Sequence, residues 1–241
     1  MSMTQIVGEE LPRKLGLHTV FGQTVCDHLV TQKIAQRFGS LPYALEIEAL
    51  PSRPLDRRFG MDGRISLLDC FRILTDQPHE VFLPDIYADW LRSFYAECGL
   101  QRGFLADQES AATNTDALIQ TFPAAGLTKI TVNQTGRDIA ERLSRLREEY
   151  PQTQVWQLVL PLSQPGSGFA VNAARARGFF IGGLLPHWSD RDMLLMQKLE
   201  FEFDAGQINL LTEQSRRLLA LIVSDHAPAS RNSRFPATVR R

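Results

Sequence analysis

The sequence predicts an α/β protein with a mixed, mostly antiparallel sheet and flanking helices. Three consecutive features in its second half predict this class. A short apolar run over residues 154–162, bounded by Pro and Gly, is typical of a buried strand. A helix over 169–177 follows, and Gly178 ends it because glycine adopts the left-handed conformation at low steric cost. Two strands over 179–185 and 193–199 then form a hairpin.

A strand, a crossover helix and a second strand predict a parallel pair, to which the hairpin adds an antiparallel edge. Gly182 and Gly183 fall inside the second strand, where side chains are expected. We interpret them as a bulge or as a close contact with a helix. Close approach of a ligand is the alternative.

The first 76 residues repeat this order of elements. A strand, a helix and two further strands are predicted there, over residues 17–25, 27–38, 42–50 and 65–74. Aligning Gly39 with Gly178 places Ala44 on Gly183. We therefore hypothesise an internal duplication, although the same order is common among α/β proteins. A partial unit would then leave strands that need a partner, either the second unit or another chain.

The predicted domain organisation follows from this duplication. It comprises a partial unit over 1–76, a complete unit over 77–227 and a flexible tail over 228–241. In the partial unit, the helix is expected to bury Val30, Ile34 and Phe38. The next strand is expected to turn Glu46 and Glu48 towards water.

The complete unit is predicted from the same kinds of pattern. Its further elements are a strand at 79–84, a helix at 86–98, a strand at 102–106, a loop with a short helix at 115–122, a strand at 127–132, a helix at 136–150 and a last helix at 206–226. The helix at 86–98 is expected to bury Ile86, Trp90 and Phe94. The last helix is expected to turn Leu211, Ser215, Leu218 and Ile222 inwards and to end at Pro228.

Composition and charge exclude several classes of protein. A chain of 241 residues allows one large domain or two small ones, and a net charge of -1 gives no reason to expect nucleic-acid or membrane binding. Cys26, Cys70 and Cys98 have no paired spacing, which favours reduced thiols and a cytoplasmic location. The amino terminus is not typical of a signal peptide. Neither metal-ligand spacing nor a nucleotide P-loop is present, so no metal is expected.

The segments 178–186, GFFIGGLLP, and 192–198, DMLLMQK, resemble bacterial GNAT-like proteins of poorly defined function. These belong to the GNAT (N-acetyltransferase) superfamily, and the resemblance extends over roughly residues 128–225. It implies a GNAT-like fold, with one partial and one complete unit. It also implies acyl-CoA, such as acetyl-CoA, as co-substrate and an amine as acceptor.

In this superfamily a Gln/Arg-x-x-Gly-x-Gly/Ala turn directs backbone N–H groups at the pyrophosphate of CoA from a helix start. The resemblance implies that this cofactor-binding turn comprises Val132, Asn133, Gln134, Thr135, Gly136 and Arg137. The chain departs from the motif, because Arg137 stands where the motif has Gly and Asp138 adds a carboxylate. Arg137 could supply charge instead. The alternative is an ordinary turn in which Asn133 or Thr135 caps the helix.

The general acid of the superfamily is a Tyr four residues before the Gly that closes the next helix. Ala174 holds this position here, and Ala35 holds it in the first unit. Neither side chain can transfer a proton, so the catalytic residues are left unassigned.

Other candidates are clustered polar residues. A predicted hairpin loop holds His187, Trp188, Asp190 and Asp192, in which the His could act as a base or simply be solvated. His28 is expected to cap a helix start, and Asp225 and His226 are expected to close the last helix.

Two hypotheses stay open. The first is a GNAT-like acyltransferase that moves an acyl group from acyl-CoA to an amine. The second is a non-catalytic, GNAT-like binding or interaction protein, either a sensor or a subunit of a complex. Its partner would be a small molecule or another protein, and a homodimer is one such arrangement.

Overall fold

The computed structural model describes residues 11–52 and 63–233. Its strands are β1 (Thr19–Val25), β2 (Leu41–Pro51), β3 (Arg64–Ile73), β4 (His79–Leu83), β5 (Arg102–Ala106), β6 (Asp116–Phe122), β7 (Leu127–Gln134), β8 (Val155–Pro161), β9 (Phe180–Trp188) and β10 (Arg191–Leu199). Its α-helices are α1 (Leu11–Lys14), α2 (Val30–Arg37), α3 (Ala88–Glu97), α4 (Ile139–Glu149), α5 (Ser167–Arg175) and α6 (Glu213–Ser233). Short 3-10 turns lie at Asp85–Tyr87, Pro123–Ala125 and Ala205–Gln207.

Eight strands form one mixed sheet in the order β1-β3-β2-β9-β10-β8-β7-β6. Neighbouring strands are antiparallel except for β7 and β8, which are parallel and joined through α4. The strands β4 and β5 form a separate parallel pair. The predicted α/β class with a mostly antiparallel sheet is therefore confirmed.

The two halves of the sheet repeat each other about a local two-fold axis. The order β1-β3-β2 has the same connectivity as β8-β10-β9, with α2 and α5 as equivalent crossovers. β2 and β9 pair antiparallel, with Ala44 opposite Gly183. The sequence alignment of the two units matches these same two residues, and a residue that faces its own equivalent across an antiparallel pair lies on a two-fold axis. This geometry is expected of a duplicated unit.

Gly183 allows the two halves to approach each other. Its φ is 140°, and an added Cβ would lie 2.4 Å from the Tyr43 carbonyl oxygen and 2.5 Å from the Ala44 Cα. The register of β9 and β10 shifts between Gly183 and Ile181, which leaves Gly182 in a bulge. The predicted bulge is confirmed, and the close neighbour is strand β2 rather than a helix.

The helices bury the faces that their apolar periodicity predicts in the second half. α4 buries Ile139, Leu143 and Leu146. The last helix, α6, contacts β9 and β2 and buries Ser215, Leu218 and Ile222. Leu211, predicted to face inwards, is only half-buried and precedes the helix.

The predicted end of α6 is wrong. The helix starts at Glu213 rather than residue 206 and continues through Pro228 to Ser233. Six residues of the predicted flexible tail are therefore helical, and residues 234–241 lie outside the described part. Asp225 does not close the helix either. Its carboxylate pairs with Arg175 and accepts a hydrogen bond from the Ile181 N–H at 2.8 Å, which fixes α6 on the sheet.

The region predicted as a short helix at 115–122 is strand β6 instead. It pairs with β7 on one side and forms an edge of the eight-stranded sheet. Ala117 and Ile119 face the protein, whereas Leu118 is 54% exposed. Because Leu118 and Phe122 are exposed, the strand lacks the alternation of apolar and polar residues that predicts a strand from sequence.

Burial in the first half also differs from the prediction. Val30 and Ile34 are 62% and 47% exposed, and the buried residue of α2 is Gln32. The amide of Gln32 donates to the carbonyl oxygens of Val25 and Asn209. Glu46, predicted to face water, is only 6% exposed because β2 is an interior strand.

A smaller correction concerns α3. α3 follows a 3-10 turn and buries Leu91, Phe94 and Tyr95, whereas Ile86 is exposed. The predicted boundary at residues 76 and 77 falls between two elements, but pairing of β2 with β9 makes one continuous sheet. Residues 1–10 and 53–62 lie outside the described residues.

Candidate functional site

The parallel strands β7 and β8 part at one end. Their pairing runs from Leu127 opposite Val155 to Thr131 opposite Val159. Beyond that point β7 continues to Gln134 beside β6, and β8 continues to Pro161 beside β10. The sheet therefore opens immediately before the turn that leads into α4, the predicted cofactor-binding turn.

The chain's own loop, residues 107–115, covers this turn. The Gly136 N–H donates to the Thr115 hydroxyl at 3.1 Å, and the Arg137 N–H donates to the Ala112 carbonyl oxygen at 3.0 Å. Asp138 accepts from the Thr115 N–H at 2.6 Å. Two backbone donors that the GNAT resemblance assigns to pyrophosphate are therefore bonded within the protein.

Gly136 shows how closely the loop is seated. A Cβ at this position would lie 2.2 Å from the Asn114 carbonyl carbon and 2.3 Å from the Thr115 nitrogen. The glycine at this position therefore allows another backbone segment to approach closely. That segment is loop 107–115. The Arg137 side chain also reaches the loop, because its Nε donates to the Ser110 carbonyl oxygen at 3.3 Å.

The remaining residues of the predicted turn are divided between the interior and the surface. Val132 and Thr135 are fully buried, whereas Asn133 and Gln134 are exposed. The Asn133 carbonyl oxygen accepts from Gln164 Nε2 at 2.7 Å and from Arg191 Nη1 at 3.1 Å. Neither Asn133 nor Thr135 caps α4, since Asp138 occupies the N-cap position and that residue's side chain makes no capping bond.

The start of α5 is closed in the same way. Asp107 accepts from the Gly166 N–H at 3.1 Å and from the Gly168 N–H at 2.9 Å. It also accepts from the Ser167 hydroxyl at 3.2 Å. A carboxylate at a helix start satisfies free N–H groups and the helix dipole. Both helix starts that flank the opening thus already have protein partners.

The position of the general acid holds no proton donor. Ala174 is fully buried within α5, and Ala35 is half-buried in α2. No titratable side chain replaces the tyrosine hydroxyl at either position.

Of the four hairpin candidates, His187 and Asp192 belong to one cluster, whereas Trp188 and Asp190 have other surroundings. His187 Nε2 lies 3.0 Å from Asp76 Oδ1, and its Nδ1 lies 3.1 Å from Thr19 Oγ1. The sequence prediction missed Asp76 and Thr19, which lie far away along the chain. Asp190 lies in the tight turn at a φ of 64°, and Trp188 stacks edge-on with Phe21.

Asp192 belongs to a buried ion pair. Arg102 Nε donates to it at 2.7 Å, and the His187 N–H donates at 3.0 Å. Burial alone would raise the pKa of Asp192, but His79, whose Nε2 lies 3.5 Å away, and the hydrogen-bonded Arg102 hold it well below its usual range. Arg102 also binds Asp76 at 2.9 Å. The cluster links β1, β5 and the β9–β10 hairpin, and the His187 side chain is 6% exposed, so it has the properties of a structural crosslink.

The sequence prediction also missed a buried pair of carboxylates. Asp69 and Glu46 lie on adjacent strands, and the pKa of Asp69 is raised well above its usual value by burial and by Glu46. Gln23 donates to Asp69 at 2.9 Å. The sequence contains one signal for this pair. Asp69 lies within the apolar strand run at 65–74, and a buried carboxylate needs partners. The pair lies on β2 and β3, away from the opening between β7 and β8.

His28 precedes Leu29, the N-cap residue of α2, and its Nδ1 accepts from the Val30 N–H at 3.3 Å, so it is bonded at the helix start without being the cap itself. Across residues 11–52 and 63–233, no cluster of three or more His, Cys, Asp or Glu side chains could hold a metal ion. In the same ranges no helix is both long and apolar enough to cross a bilayer.

The chain matches no protein-family model, no curated protein and no solved structure. The local geometry of the turn and of the opening is therefore the basis for inferring a function.

Proposed function

We propose that this chain is a non-catalytic, GNAT-like binding protein, in which the site that would hold acyl-CoA is occupied by the protein itself. The single observation that carries this proposal is the bonding of the Gly136 and Arg137 N–H groups to loop 107–115. Pyrophosphate would have to displace that loop and would meet the Asp138 carboxylate next to it. The alanine at position 174 supports the same conclusion, because it supplies no general acid.

The GNAT kinship itself is supported by strand order. Within the described sheet, β6-β7-β8-β10-β9 contains one parallel pair, and that pair opens beside a helix start. Fold kinship carries no activity with it, so the local geometry decides between the two hypotheses.

The experiment is a calorimetric titration with CoA and acetyl-CoA, combined with thermal unfolding at millimolar ligand. A ligand present at about 100 times its Kd would stabilise the native state by about 2.7 kcal/mol. We expect no saturable heat and no rise in Tm. Saturable binding that Arg137→Ala abolishes would overturn the proposal, because it would place CoA on the turn.

A second candidate is an acyl-CoA-dependent N-acyltransferase. The parting of β7 and β8 beyond Thr131 and Val159 favours it, because it offers a gap for an extended ligand. The acceptor amine would attack the thioester carbonyl, and CoA would leave as the thiol. Release of free thiol from acetyl-CoA with a panel of amines would establish this function, and loop 107–115 would then have to move.

An interaction role would use one edge of the described sheet, that of β1. Among the described strands, β1 pairs with β3 alone, and the neighbouring helix α2 exposes Val30 and Ile34. A protein partner or a homodimer would cover these side chains. Light scattering at micromolar concentration distinguishes a dimer from a monomer. We also propose a cytoplasmic location, supported by three cysteines that are free thiols.

A further inference from the structure

A cavity of about 610 Å³ lies between α4 and α5, at the end of these helices away from the predicted turn. Residues from the last turn of α4 and just after α5 line it, including Arg147, Glu148 and Arg177. The predicted cofactor-binding turn precedes α4, at the opposite end of the helix. The cavity is therefore a different place from the opening between β7 and β8, and its size suits a small molecule.

Its floor is apolar and contains one unused donor. Ile130, Leu143 and Phe179 line the cavity and are each at most 5% exposed. Trp156 is 3% exposed, yet its indole Nε1 has no hydrogen-bond partner among the described residues. A buried donor without a partner is unfavourable, so an acceptor supplied by a ligand would stabilise the protein.

The rim carries more positive than negative charge. Lys198 and Arg147 both pair with Glu200, at 3.1 and 3.3 Å. Arg177 instead donates to the Ser144 hydroxyl and to the Ala173 carbonyl oxygen, and it forms no ion pair within the described ranges. The rim thus carries three cations, Arg147, Arg177 and Lys198, and two carboxylates, Glu148 and Glu200. Burial also lowers the pKa of Lys198, so an added anion would favour its charged form.

The equivalent place in the first half lacks these groups. Trp156 pairs across strands with Lys198, as Val20 pairs with Arg72 in the first half. The alignment of Gly39 with Gly178 puts Phe38 at the position of Arg177. A hollow of about 350 Å³ lies there, lined by Val20, Phe38 and Arg72 among others. The repeated fold therefore requires neither the indole of Trp156 nor the guanidinium of Arg177.

We propose that the cavity between α4 and α5 binds a small apolar carboxylic acid, whose carboxylate is held by Trp156 Nε1, Arg177 and Lys198. The inference rests on the proposed binding role and names the class of ligand. The apolar part of the acid would contact Ile130, Leu143 and Phe179. The carboxylate would supply the acceptor that the indole lacks and the counter-ion that Arg177 lacks.

The test uses phenylbutyrate and its neutral amide, phenylbutyramide, in calorimetric titrations of the full chain. We expect saturable binding of the acid, and roughly tenfold weaker binding of the amide, because a hydrogen bond to a charged group contributes more than one to a neutral group. Trp156→Phe and Arg177→Met should each weaken binding of the acid by roughly fivefold or more. Arg72→Met, at the position equivalent to Lys198, is the matched control and should leave binding unchanged.

Equal binding of acid and amide would overturn the inference, as would absence of binding or variants that bind like the wild type. Thermal unfolding of each variant separates loss of binding from loss of folding. If phenylbutyrate does not bind, small apolar carboxylic acids are excluded as ligands of the cavity. The proposal that loop 107–115 closes the turn is then unaffected. Binding of CoA to the turn would remove the proposed function whatever phenylbutyrate does.

Discussion

Replacement of Arg102 by methionine should destabilise the protein strongly, because it leaves a buried carboxylate without its cation. The side chains of Arg102 and Asp192 are both fully buried and pair at 2.7 Å. Breaking one partner of a buried ion pair costs about 3–5 kcal/mol. For a domain of this size each kcal/mol lowers Tm by about 2–4 °C, so the expected fall is roughly 6–20 °C.

The pH dependence identifies the cause. In the wild type the lowered pKa of Asp192 contributes stability above the unfolded pKa, and this contribution is lost as pH falls through the folded pKa. Without Arg102 that contribution disappears, so the gap between variant and wild type should narrow as the pH is lowered. Urea unfolding at several pH values from about 7 down to about 2, which crosses the unfolded pKa, measures the gap directly.

Two variants complete this experiment. Arg102→Met combined with Asp192→Asn should recover much of the stability, because the uncompensated charge is then absent. Arg145→Met is the surface control, since Arg145 forms only an exposed pair with Glu141 within α4 and should cost a few tenths of a kcal/mol at about 25 °C. An Arg102→Met protein as stable as the wild type, or a loss that stays constant with pH, would refute the reasoning.

Two further predictions concern the sheet. Gly183→Ala should cost about 2–6 kcal/mol, from strain at a φ of 140° and overpacking against β2, whereas Gly22→Ala, whose Cβ meets open space, should cost far less when both are measured by calorimetry. Asp69→Asn should raise Tm more at pH 8 than at pH 5. The pKa of Asp69 is higher in the folded state than in the unfolded state, so the wild type loses stability as the pH rises from the unfolded pKa to the folded pKa, and the variant does not. An unchanged Tm in Gly183→Ala would contradict the strain and overpacking inferred at Gly183. An effect of Asp69→Asn that is independent of pH would contradict the raised pKa of Asp69.

Local pattern predicted those elements whose structure depends on local sequence. The strands β8, β9 and β10 follow from short apolar runs, and Gly39 and Gly178 both end their helices with positive φ, as expected. Two glycines inside a strand pattern likewise predict the bulge, which lies at Gly182. The order of these elements was enough to predict the class of the sheet.

What the sequence could not predict depends on neighbours distant along the chain. The wet face expected for Glu46 is buried because β2 lies between β3 and β9, which one strand's alternation cannot reveal. The exposed face of α2 lies beside β1, a strand at one end of the described sheet, and one helix's own periodicity does not predict that position. The closure of the turn is also a tertiary property, since Ala112 and Thr115 lie more than twenty residues before the groups they bind.

The most direct test of the closed turn is the amide NMR signal of Gly136 and Arg137. Both N–H groups should exchange slowly with solvent, and their shifts should stay unchanged when CoA is added to millimolar concentration. Fast exchange in the free protein, or shifts of these two amides that saturate with CoA, would contradict the central claim that loop 107–115 occupies this site.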